Sequence, residues 1–393
     1  MTVSILRERL RARIGREGPV SFATFMETAL YDPDAGFFSS GGGAGRAGRD
    51  FVTSPEVGGL FGALVARHLD RVWRRLGEPD PFVVVEAGAG RGRLAADVLR
   101  AGPECRRALR YFLVERSAAL RHEQHGLLRL EPADEALGPS VHGVDPDDPS
   151  EVVPGTGPIM SSMADLPALA LDGVVLANEL LDNLAVRIVE RRAGAWAEVR
   201  VGLRGDELVE VAVPAPPDLD LADLPPEAPD GARLPVPVGA AEWLDRSRRT
   251  LVRGELVVID YVATWSELIE RGQDGWLRTY RGHGRAGSPL ADPGSCDITS
   301  DVPFEALVAA AGRAGLVVDR HTDQAGWLRS LGLETLRREA VQAWDAGAAR
   351  ADLPALEARS RIGEADALVD PAGLGAHRVI VLRPAGSGNA GLP

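Results

Sequence analysis

The chain has 393 residues, 45% of them hydrophobic, so it is long enough to bury a sizeable core in one large domain or in two. Its 57 acidic residues outnumber its 44 basic ones, which argues against a broad surface for nucleic acid or an anionic membrane. Every one of those basic residues is arginine, so chemistry that requires a lysine amine, such as Schiff-base formation, is excluded.

Cysteine and histidine give no sign of a metal site or a disulfide framework. Cys105 and Cys296 are too few for either. His122 and His125 lie close together in HEQH, but a solvated helix surface is a better interpretation than the HExxH pattern of zinc enzymes. No apolar run reaches the roughly 18 residues of a membrane span, and the N-terminus lacks the apolar stretch of a secretory signal. We therefore expect a cytoplasmic protein.

The first 80 residues are predicted to be mostly helical. Ser21 precedes the helical pattern FATFMETALYD, and Pro55 and Glu56 begin a second one, whose apolar residues recur every three or four positions. Between these helices lies a glycine-rich stretch, Ser39 to Gly48, which cannot pack a core by itself. We expect it either to form a flexible lid or to allow the backbone to approach a ligand closely.

From residue 82 onwards, short apolar runs alternate with helical patterns. In chain order, the clearest runs are FVVVE (82–86), RYFLVE (110–115), DGVVLANE (172–179) and ELVVID (255–260). Strands that are apolar on both faces and alternate with helices predict a parallel sheet covered on both sides. Residues 315–322 and 377–384 are expected at an edge of this sheet, as a closing antiparallel pair.

Two segments interrupt this regularity. In residues 186–203, apolar and polar side chains alternate with period two on both sides of Gly194, which predicts a hairpin. Residues 213–238 are rich in proline and are expected to form an irregular, partly extended loop. The tail after Pro384 is expected to be disordered.

The most informative segment is VVVEAGAGRGRL, at residues 83–94. A buried strand ends there in Glu86, and three alternate glycines follow before a helix begins: Gly88, Gly90 and Gly92. Such glycines let the backbone pass close beneath a ligand. A dinucleotide fingerprint, GxGxxG, would need its third glycine at position 93, where the chain has Arg93, whereas ExGxGxG resembles the S-adenosylmethionine (AdoMet) site of class I methyltransferases. The alternative is a tight strand–helix turn without a ligand.

Polar residues also follow two other strands. Glu115 closes the strand YFLVE, where an acid can accept hydrogen bonds from both ribose hydroxyls, as NAD and AdoMet sites both require. Asn178, Glu179 and Asp182 lie at or just after the end of the strand DGVVLANE, at the edge where open α/β sheets bind ligands. The alternatives are an ordinary exposed glutamate for Glu115, and a helix N-cap with dipole-complementing acids for the other group.

Six separated motifs, which together span roughly residues 20–383, carry a resemblance to a known family. They are FMETALYDPDAGFFS, GRDFVTSPEVGGLFG, VVVEAGAGRGRL, YFLVERS, ANELLDNLAVRIVE and RTYRGHGRAGSPLADPGSCDITSDVPFEAL. With these motifs the chain resembles the MidA family of AdoMet-dependent methyltransferases, which includes a mitochondrial assembly factor of respiratory complex I. The resemblance implies AdoMet as cofactor and ω-N-methylation of a protein arginine.

The same resemblance implies which residues hold the cofactor. Those expected to contact AdoMet on the core strands and the glycine turn are Glu86, Gly88, Ala89, Gly90, Gly92 and Glu115. On the adenine side the expected acid is Asp165. A family motif expected to fold over the cofactor comprises Asp50, Thr53, Ser54, Pro55 and Glu56.

The chain departs from the family pattern at two notable positions. Ala89 stands where the glycine loop usually has proline, which should be tolerated. Val262 stands where the family has glycine after Asp260 and Tyr261. Because valine rarely adopts a positive φ, we expect the local backbone and the substrate pocket to differ there.

The expected chemistry depends on the methyl acceptor. An arginine side chain keeps its proton at physiological pH, so carboxylates must hold the guanidinium and localise its charge before one nitrogen can attack. Glu179 is the first choice for that role and Glu56 the second, while Asp182 and Asp260 are weaker candidates and Asn178 offers amide hydrogen bonds. For a small-molecule hydroxyl or amine, the same acids would act as general base.

The sequence therefore predicts a Rossmann-like α/β fold of the class I methyltransferase type, with a doubly wound, mostly parallel sheet. We expect an N-terminal helical region with a lid (1–80), an AdoMet-binding core (81–182), an inserted substrate-facing region that includes the strand 255–260 (183–300), C-terminal helices and closing strands (301–384) and a tail (385–393). The acceptor is expected to be a protein, such as a complex I subunit. The alternatives are a small-molecule O- or N-methyltransferase and a non-catalytic AdoMet-binding assembly chaperone. We expect no nucleic acid, membrane or metal as partner, and a homodimer as one oligomeric state.

Overall fold

The computed structural model describes residues 2–42, 53–133, 136, 156–167, 170–282, 284–349 and 352–386. The glycine-rich stretch from 43 onwards, with Asp50, and the tail from 387 onwards lie outside these residues, so the expectations for them stay predictions. Among the helices of the described residues, none is long and apolar enough to cross a membrane.

Helices and strands alternate along most of the chain. The helices are α1 (Thr2–Glu17), α2 (Phe22–Tyr31), α3 (Ser54–Val57), α4 (Gly59–Arg75), α5 (Arg93–Ala101), α6 (Ala118–Gln124), α7 (Val238–Thr250), α8 (Trp265–Arg271), α9 (Gln273–Trp276), α10 (Phe304–Arg313), α11 (Gln324–Ser330), α12 (Leu333–Gly347) and α13 (Leu353–Leu368). Single 3₁₀ turns occur at Glu104–Arg107, Leu181–Asn183 and Leu374–Ala376.

The strands fall into a large sheet and several smaller ones. They are β1 (Val20–Ser21), β2 (Phe82–Ala87), β3 (Leu109–Val114), β4 (Ile159–Met163), β5 (Leu171–Asn178), β6 (Arg187–Arg192), β7 (Ala195–Arg204), β8 (Glu207–Pro214), β9 (Arg233–Val236), β10 (Leu251–Asp260), β11 (Val262–Ala263), β12 (Leu277–Arg281), β13 (Gly284–Arg285), β14 (Asp297–Ser300), β15 (Val302–Pro303), β16 (Leu316–Asp323) and β17 (Arg378–Pro384).

The central sheet has seven strands in the order β16-β17-β10-β5-β2-β3-β4. The five strands from β10 to β4 are parallel, while β17 runs antiparallel to both β10 and β16. This arrangement confirms the predicted mostly parallel sheet and its closing antiparallel pair. The strand order reverses between β2 and β5, so the carboxyl ends of these two strands face the crevice in which open α/β sheets bind ligands.

Helices cover both faces of this sheet. On one face, apolar residues of α4, α5, α11 and α13 form a core with the strands. On the other face, α7 and α10 do the same. Burial on both sides explains why the central strands have almost purely apolar sequences.

A second sheet lies on the N-terminal helices. The predicted hairpin is confirmed as β6 and β7, with β8 and β9 added at either side, and β9 falls within the proline-rich segment. The short strand β1 pairs with β7, and Phe22 and Phe25 of α2 share a core with Ile188 and Val199 of the hairpin. The N-terminal helices and the inserted region therefore pack as one layer.

One local expectation is wrong. The helix predicted from Pro55 onwards is interrupted at Gly58, whose extended backbone separates α3 from α4 and packs against the Glu364 carboxylate. Val262 lies in the extended strand β11 and pairs with Val302, so it needs no positive φ. The expected difference from the family at this position stays a prediction.

Candidate functional site

A cavity of about 890 Å³ opens at the carboxyl ends of the central parallel strands. Many of the residues predicted for the site line it, namely Thr53, Pro55, Glu56, Glu86, Gly88, Ala89, Gly90, Glu115, Asp165, Asn178 and Glu179. Four of the predicted residues, Ser54, Gly92, Asp182 and Asp260, do not line this cavity. The structure thus brings together residues from the N-terminal region and from the ends of four strands, β2, β3, β4 and β5.

The three glycines after β2 have different roles in the turn. All three have positive φ, which favours glycine. A Cβ at Gly88 would lie 2.9 Å from Leu180 Cδ1, and one at Gly92 would lie 2.9 Å from Leu113 Cδ2. At Gly90, a Cβ would meet nothing within 4 Å. Gly88 and Gly92 are therefore needed for close packing, while Gly90 leaves open space at the wall of the cavity.

Glu86 presents a buried carboxyl group at the end of β2. Its Oε2 accepts a hydrogen bond from the Tyr111 hydroxyl at 2.7 Å, and its Oε1 accepts none from the described residues. Burial raises the pKa of Glu86 to about 8, and the charge of Glu115 adds to the increase. A ligand that brings a positive charge to Oε1 would stabilise the ionised form.

Glu115, at the end of β3, supports the glycine turn directly. Its Oε2 accepts the Gly90 N–H at 3.0 Å, and its Oε1 accepts the Ser117 N–H at 2.8 Å. Burial raises the pKa of this carboxyl group, and the two backbone hydrogen bonds oppose the increase. Each oxygen keeps a lone pair for a further donor, as a pair of ribose hydroxyls would require.

Gln124 is part of this site, which the sequence interpretation missed. The two histidines of HEQH are exposed as expected, but Gln124 is completely buried. Its Nε2 donates to the Gly90 carbonyl at 2.8 Å, and its Oε1 accepts from the Ser162 hydroxyl. A signal was available, because Gln124 lies four residues after Leu120 and thus on the apolar face of α6.

Asp165 lies at the far end of the cavity, on the loop after β4. Its exposed carboxylate forms an ion pair with Arg246 of α7 and accepts the Leu166 N–H at 2.8 Å. Partial burial opposes ionisation, but these hydrogen bonds outweigh it and keep the pKa of Asp165 below its usual value. A ligand group here would share the carboxylate with Arg246.

Glu179 stands at the end of β5 in a left-handed conformation that is unusual for a residue other than glycine, with φ of 52°. Its N–H donates to the Ile259 carbonyl at 2.8 Å. Its Oε1 accepts from the Ser54 N–H and from Asn178 Nδ2, each at 3.2 Å, while Oε2 accepts nothing from the described residues. Burial raises the pKa of Glu179 to about 8.

Asp260 holds the turn that carries Glu179. Its Oδ2 accepts the N–H groups of Leu180 and Leu181 at 3.0 and 2.8 Å, and its Oδ1 accepts the Tyr261 N–H at 2.8 Å. The side chain is fully buried and does not line the cavity. The expectation that Asp260 could contact the methyl acceptor is therefore wrong, because its oxygens bind the backbone instead.

Asp182 is also withdrawn from the cavity. It is buried in the 3₁₀ turn after Glu179, and its Oδ1 has no hydrogen-bond partner among the described residues. Burial and the nearby charges of Asp260 and Asp297 raise its pKa well above the usual value. Glu179 is thus the better placed of the two acids for contact with an acceptor.

The segment that follows Thr53 closes one side of the cavity and is anchored from the C-terminal region. The Ser54 hydroxyl donates to Gln324 Oε1 at 2.9 Å, and Gln324 Nε2 donates to the Leu368 carbonyl at 3.2 Å. Gln324 is completely buried. This contact joins α3 to the start of α11 and the end of α13, a link that no local sequence pattern predicts.

Comparisons with known proteins agree on one class. Residues 64–322 match the family model for S-adenosyl-L-methionine-dependent methyltransferases. The protein arginine methyltransferase NDUFAF7 homolog of Drosophila melanogaster is 30% identical over 76% of this chain and 68% of its own, and human NDUFAF7 is 28% identical over 78% and 68%. The crystal structure of a COG1565 superfamily member from Burkholderia thailandensis bound to S-adenosyl-homocysteine is 29% identical, with a TM-score of 0.77 over 99% of this chain and 96% of that one.

Proposed function

The chain belongs to the family of S-adenosyl-L-methionine-dependent methyltransferases, and from that membership we propose that it methylates an arginine side chain of a protein. Relatives that match 76–78% of this chain carry the name protein arginine methyltransferase, which supports this choice of acceptor. The cofactor of the family is AdoMet, which supplies an electrophilic methyl group on a sulfonium.

The residues of the cavity fit this cofactor. The open space at Gly90 admits a ligand against the turn, and Glu86 Oε1 is available for its ammonium group. Both oxygens of Glu115 have a lone pair left for ribose hydroxyls. We assign the adenine end to Asp165 and Arg246, because both line the cavity and pair with each other after β4, two strands away from the glycine turn after β2.

The arrangement of Glu179 carries the proposal for the acceptor. One oxygen is fixed by Ser54 and Asn178, and the other is left for a donor at the cavity wall. A carboxylate with one unpartnered oxygen can hold and orient an N–H edge of a guanidinium. Glu56 also lines the cavity and is the second candidate for this contact.

The proposed step balances with the groups at hand. The attacking guanidinium nitrogen would form a bond to the methyl carbon, the C–S bond would break with its electron pair kept by sulfur, and the nitrogen would give up one proton. Glu179 can receive that proton, because its pKa of about 8 lies close to the working pH.

Several finer expectations are part of the same proposal. A respiratory complex I subunit is the proposed protein acceptor, and the cytoplasm the proposed location. A homodimer and closure of the segment 39–56 over the cofactor also stay predictions. The substrate-facing role of residues 183–300 is proposed because Leu184 and Ala185 line the cavity beside Asn183.

Labelling of a lysate tests the class of acceptor. Lysate from a strain that lacks the gene is incubated with the purified protein and methyl-labelled AdoMet, and macromolecules are then separated from small molecules. The proposal predicts label in one or a few proteins. Label in a small molecule would favour a biosynthetic methyltransferase, and binding of AdoMet without any transfer would favour an assembly chaperone.

A further inference from the structure

Tyr111 lies beneath the cofactor-side acid, on the neighbouring strand. In the register of β2 and β3, Val84 pairs with Tyr111 and Glu86 pairs with Leu113. Tyr111 and Glu86 therefore point to the same face of the sheet and are offset by two residues along it, a distance of roughly 7 Å. A tyrosine side chain spans that offset, so the Tyr111 hydroxyl reaches Glu86 Oε2 at 2.7 Å.

Few other charges act on Glu86. Among the acids that the structure describes, Glu115 is the one whose negative charge disfavours ionisation of Glu86. The arginines of the glycine turn are engaged elsewhere, Arg91 with Glu123 and Arg93 with Asp97. Among the described residues, the Tyr111 hydroxyl is thus the group that opposes the effects of burial and of Glu115 on the pKa of Glu86.

We propose that Tyr111 is a positioning residue for cofactor binding, which fixes Glu86 Oε2 and favours the carboxylate so that Oε1 receives the ammonium group of AdoMet. The inference rests on the proposed cofactor site and extends it to a residue that does not line the cavity. Tyr111 is completely buried, so it acts on the ligand through Glu86 alone.

A purely structural role would look different. A buried tyrosine hydroxyl needs some hydrogen-bond partner, and Glu86 could serve only to satisfy it. In that case, loss of the hydroxyl would change stability but not the pH dependence of binding. A positioning role links the hydroxyl to the ionisation of Glu86 and therefore to pH.

Calorimetry with two ligands separates these roles. S-adenosylhomocysteine carries the ammonium group, while 5′-methylthioadenosine keeps the adenosine part and lacks it. Both are titrated into the wild type, Tyr111→Phe, Glu86→Gln and the double variant, at several values between about pH 6 and pH 9. Tyr280→Phe in β12 is the matched control, because it removes a hydroxyl away from the cavity. Thermal unfolding of each variant shows whether it is folded.

For the wild type, affinity for S-adenosylhomocysteine should rise with pH and level off near pH 8, where Glu86 ionises in the free protein. Tyr111→Phe should bind it at least about tenfold more weakly at pH 7, with the rise shifted to higher pH. Its affinity for 5′-methylthioadenosine should be unchanged. In the Glu86→Gln background, Tyr111→Phe should cause little further loss.

Three results would overturn the inference. The first is a pH dependence of affinity that is the same in Tyr111→Phe as in the wild type. The second is an equal loss of affinity for both ligands in Tyr111→Phe. The third is a double variant that binds as much more weakly than Glu86→Gln as Tyr111→Phe binds relative to the wild type. A wild type that binds S-adenosylhomocysteine at no pH would instead contradict the proposed function itself.

Discussion

The backbone N–H of Ser54 donates a hydrogen bond to Oε1 of Glu179 at 3.2 Å, although 125 residues separate them. The contact joins the N-terminal segment that borders the cavity to the end of β5. It also fixes one carboxylate oxygen and leaves the other for an acceptor. Closure of the segment before Ser54 stays a prediction, because residues 43–52 lie outside the described part of the chain.

Glu179→Gln should abolish most of the turnover and spare cofactor binding. Glutamine keeps the size and one acceptor oxygen, but it loses the charge that holds a guanidinium. We expect a loss of roughly 10²-fold or more in kcat, with affinity for S-adenosylhomocysteine nearly unchanged. At saturating cofactor, kcat/KM of the wild type should rise with pH through about 8, because the protonated carboxyl cannot accept the substrate proton.

Glu56→Gln is the matched control for this prediction, since Glu56 also lines the cavity. Glu56→Gln should lower kcat by a smaller factor than Glu179→Gln does. Normal turnover by Glu179→Gln on the true acceptor would show that this acid has no part in the reaction.

Two glycines of the turn should respond differently to substitution, because Gly90 borders open space in the cavity and Gly88 packs against Leu180. Gly90→Asn should weaken S-adenosylhomocysteine binding by at least about tenfold with a small loss of stability, because asparagine tolerates positive φ and its side chain would enter open space. Gly88→Asn should instead lower the unfolding temperature, since its Cβ would collide with Leu180. Calorimetry and thermal unfolding of both variants decide this. Full affinity in a folded Gly90→Asn protein would place the ligand elsewhere.

Asp260 should influence turnover through Glu179. In Asp260→Asn, one acceptor oxygen cannot serve all three N–H groups of the turn, so Glu179 should lose its fixed orientation. We expect a loss of kcat of at least about tenfold in the wild-type background and little further loss in Glu179→Gln, a non-additivity typical of residues that act as a unit. If Asp260→Asn lowers kcat by the same factor in the wild type and in Glu179→Gln, Asp260 does not act through Glu179.

A buried cluster of ion pairs far from the cavity should make the free energy of unfolding depend on pH. Glu255 is paired with His68, Arg75 and Arg383 at 3.1, 2.7 and 2.9 Å. Burial alone would raise the pKa of Glu255, but its contacts with His68 and with the two arginines outweigh it and lower the pKa to about 2. Because the folded-state pKa is depressed, the stabilisation is present above the unfolded-state value of about 4.3 and is lost as the pH falls towards 2.

Glu255→Gln should accordingly lower the free energy of unfolding at pH 7 by about 3 kcal/mol, a difference that shrinks on acidification. Urea denaturation at pH 7 and pH 3 measures both values. Glu334→Gln, which removes an exposed ion pair with Arg329, is the control and should have little effect at either pH. A Glu255→Gln difference that stays constant with pH would contradict the assigned ion pairs.

The central sheet could be predicted because its strands are buried on both faces. Apolar runs locate β2, β3, β5 and β10 to within a few residues. The strand β4 was missed, since its sequence IMSSM has no continuous apolar run and its place is set by pairing with β3. The break at Gly58 was missed for a related reason, because it depends on Glu364, which is distant in the sequence.

The site could be predicted as a set of strand-end residues, but not as a network. Glycine spacing and the acids after strands identify residues that do line the cavity. Their partners come from elsewhere in the chain: Gln324 binds Ser54, and Asp260 binds the turn after Glu179. The sequence made Asp260 and Asp182 candidates for contact with the acceptor, but tertiary contacts bury both side chains away from the cavity.

The chemical form of the labelled product tests the central claim most directly. Protein labelled by the wild-type enzyme is hydrolysed to amino acids, and the methylated residue is identified by mass spectrometry, with Glu179→Gln processed in parallel. The account predicts ω-N-methylarginine with the wild type and at least roughly a hundredfold less with Glu179→Gln. Label on another amino acid, or equal methylarginine from both enzymes, would contradict it.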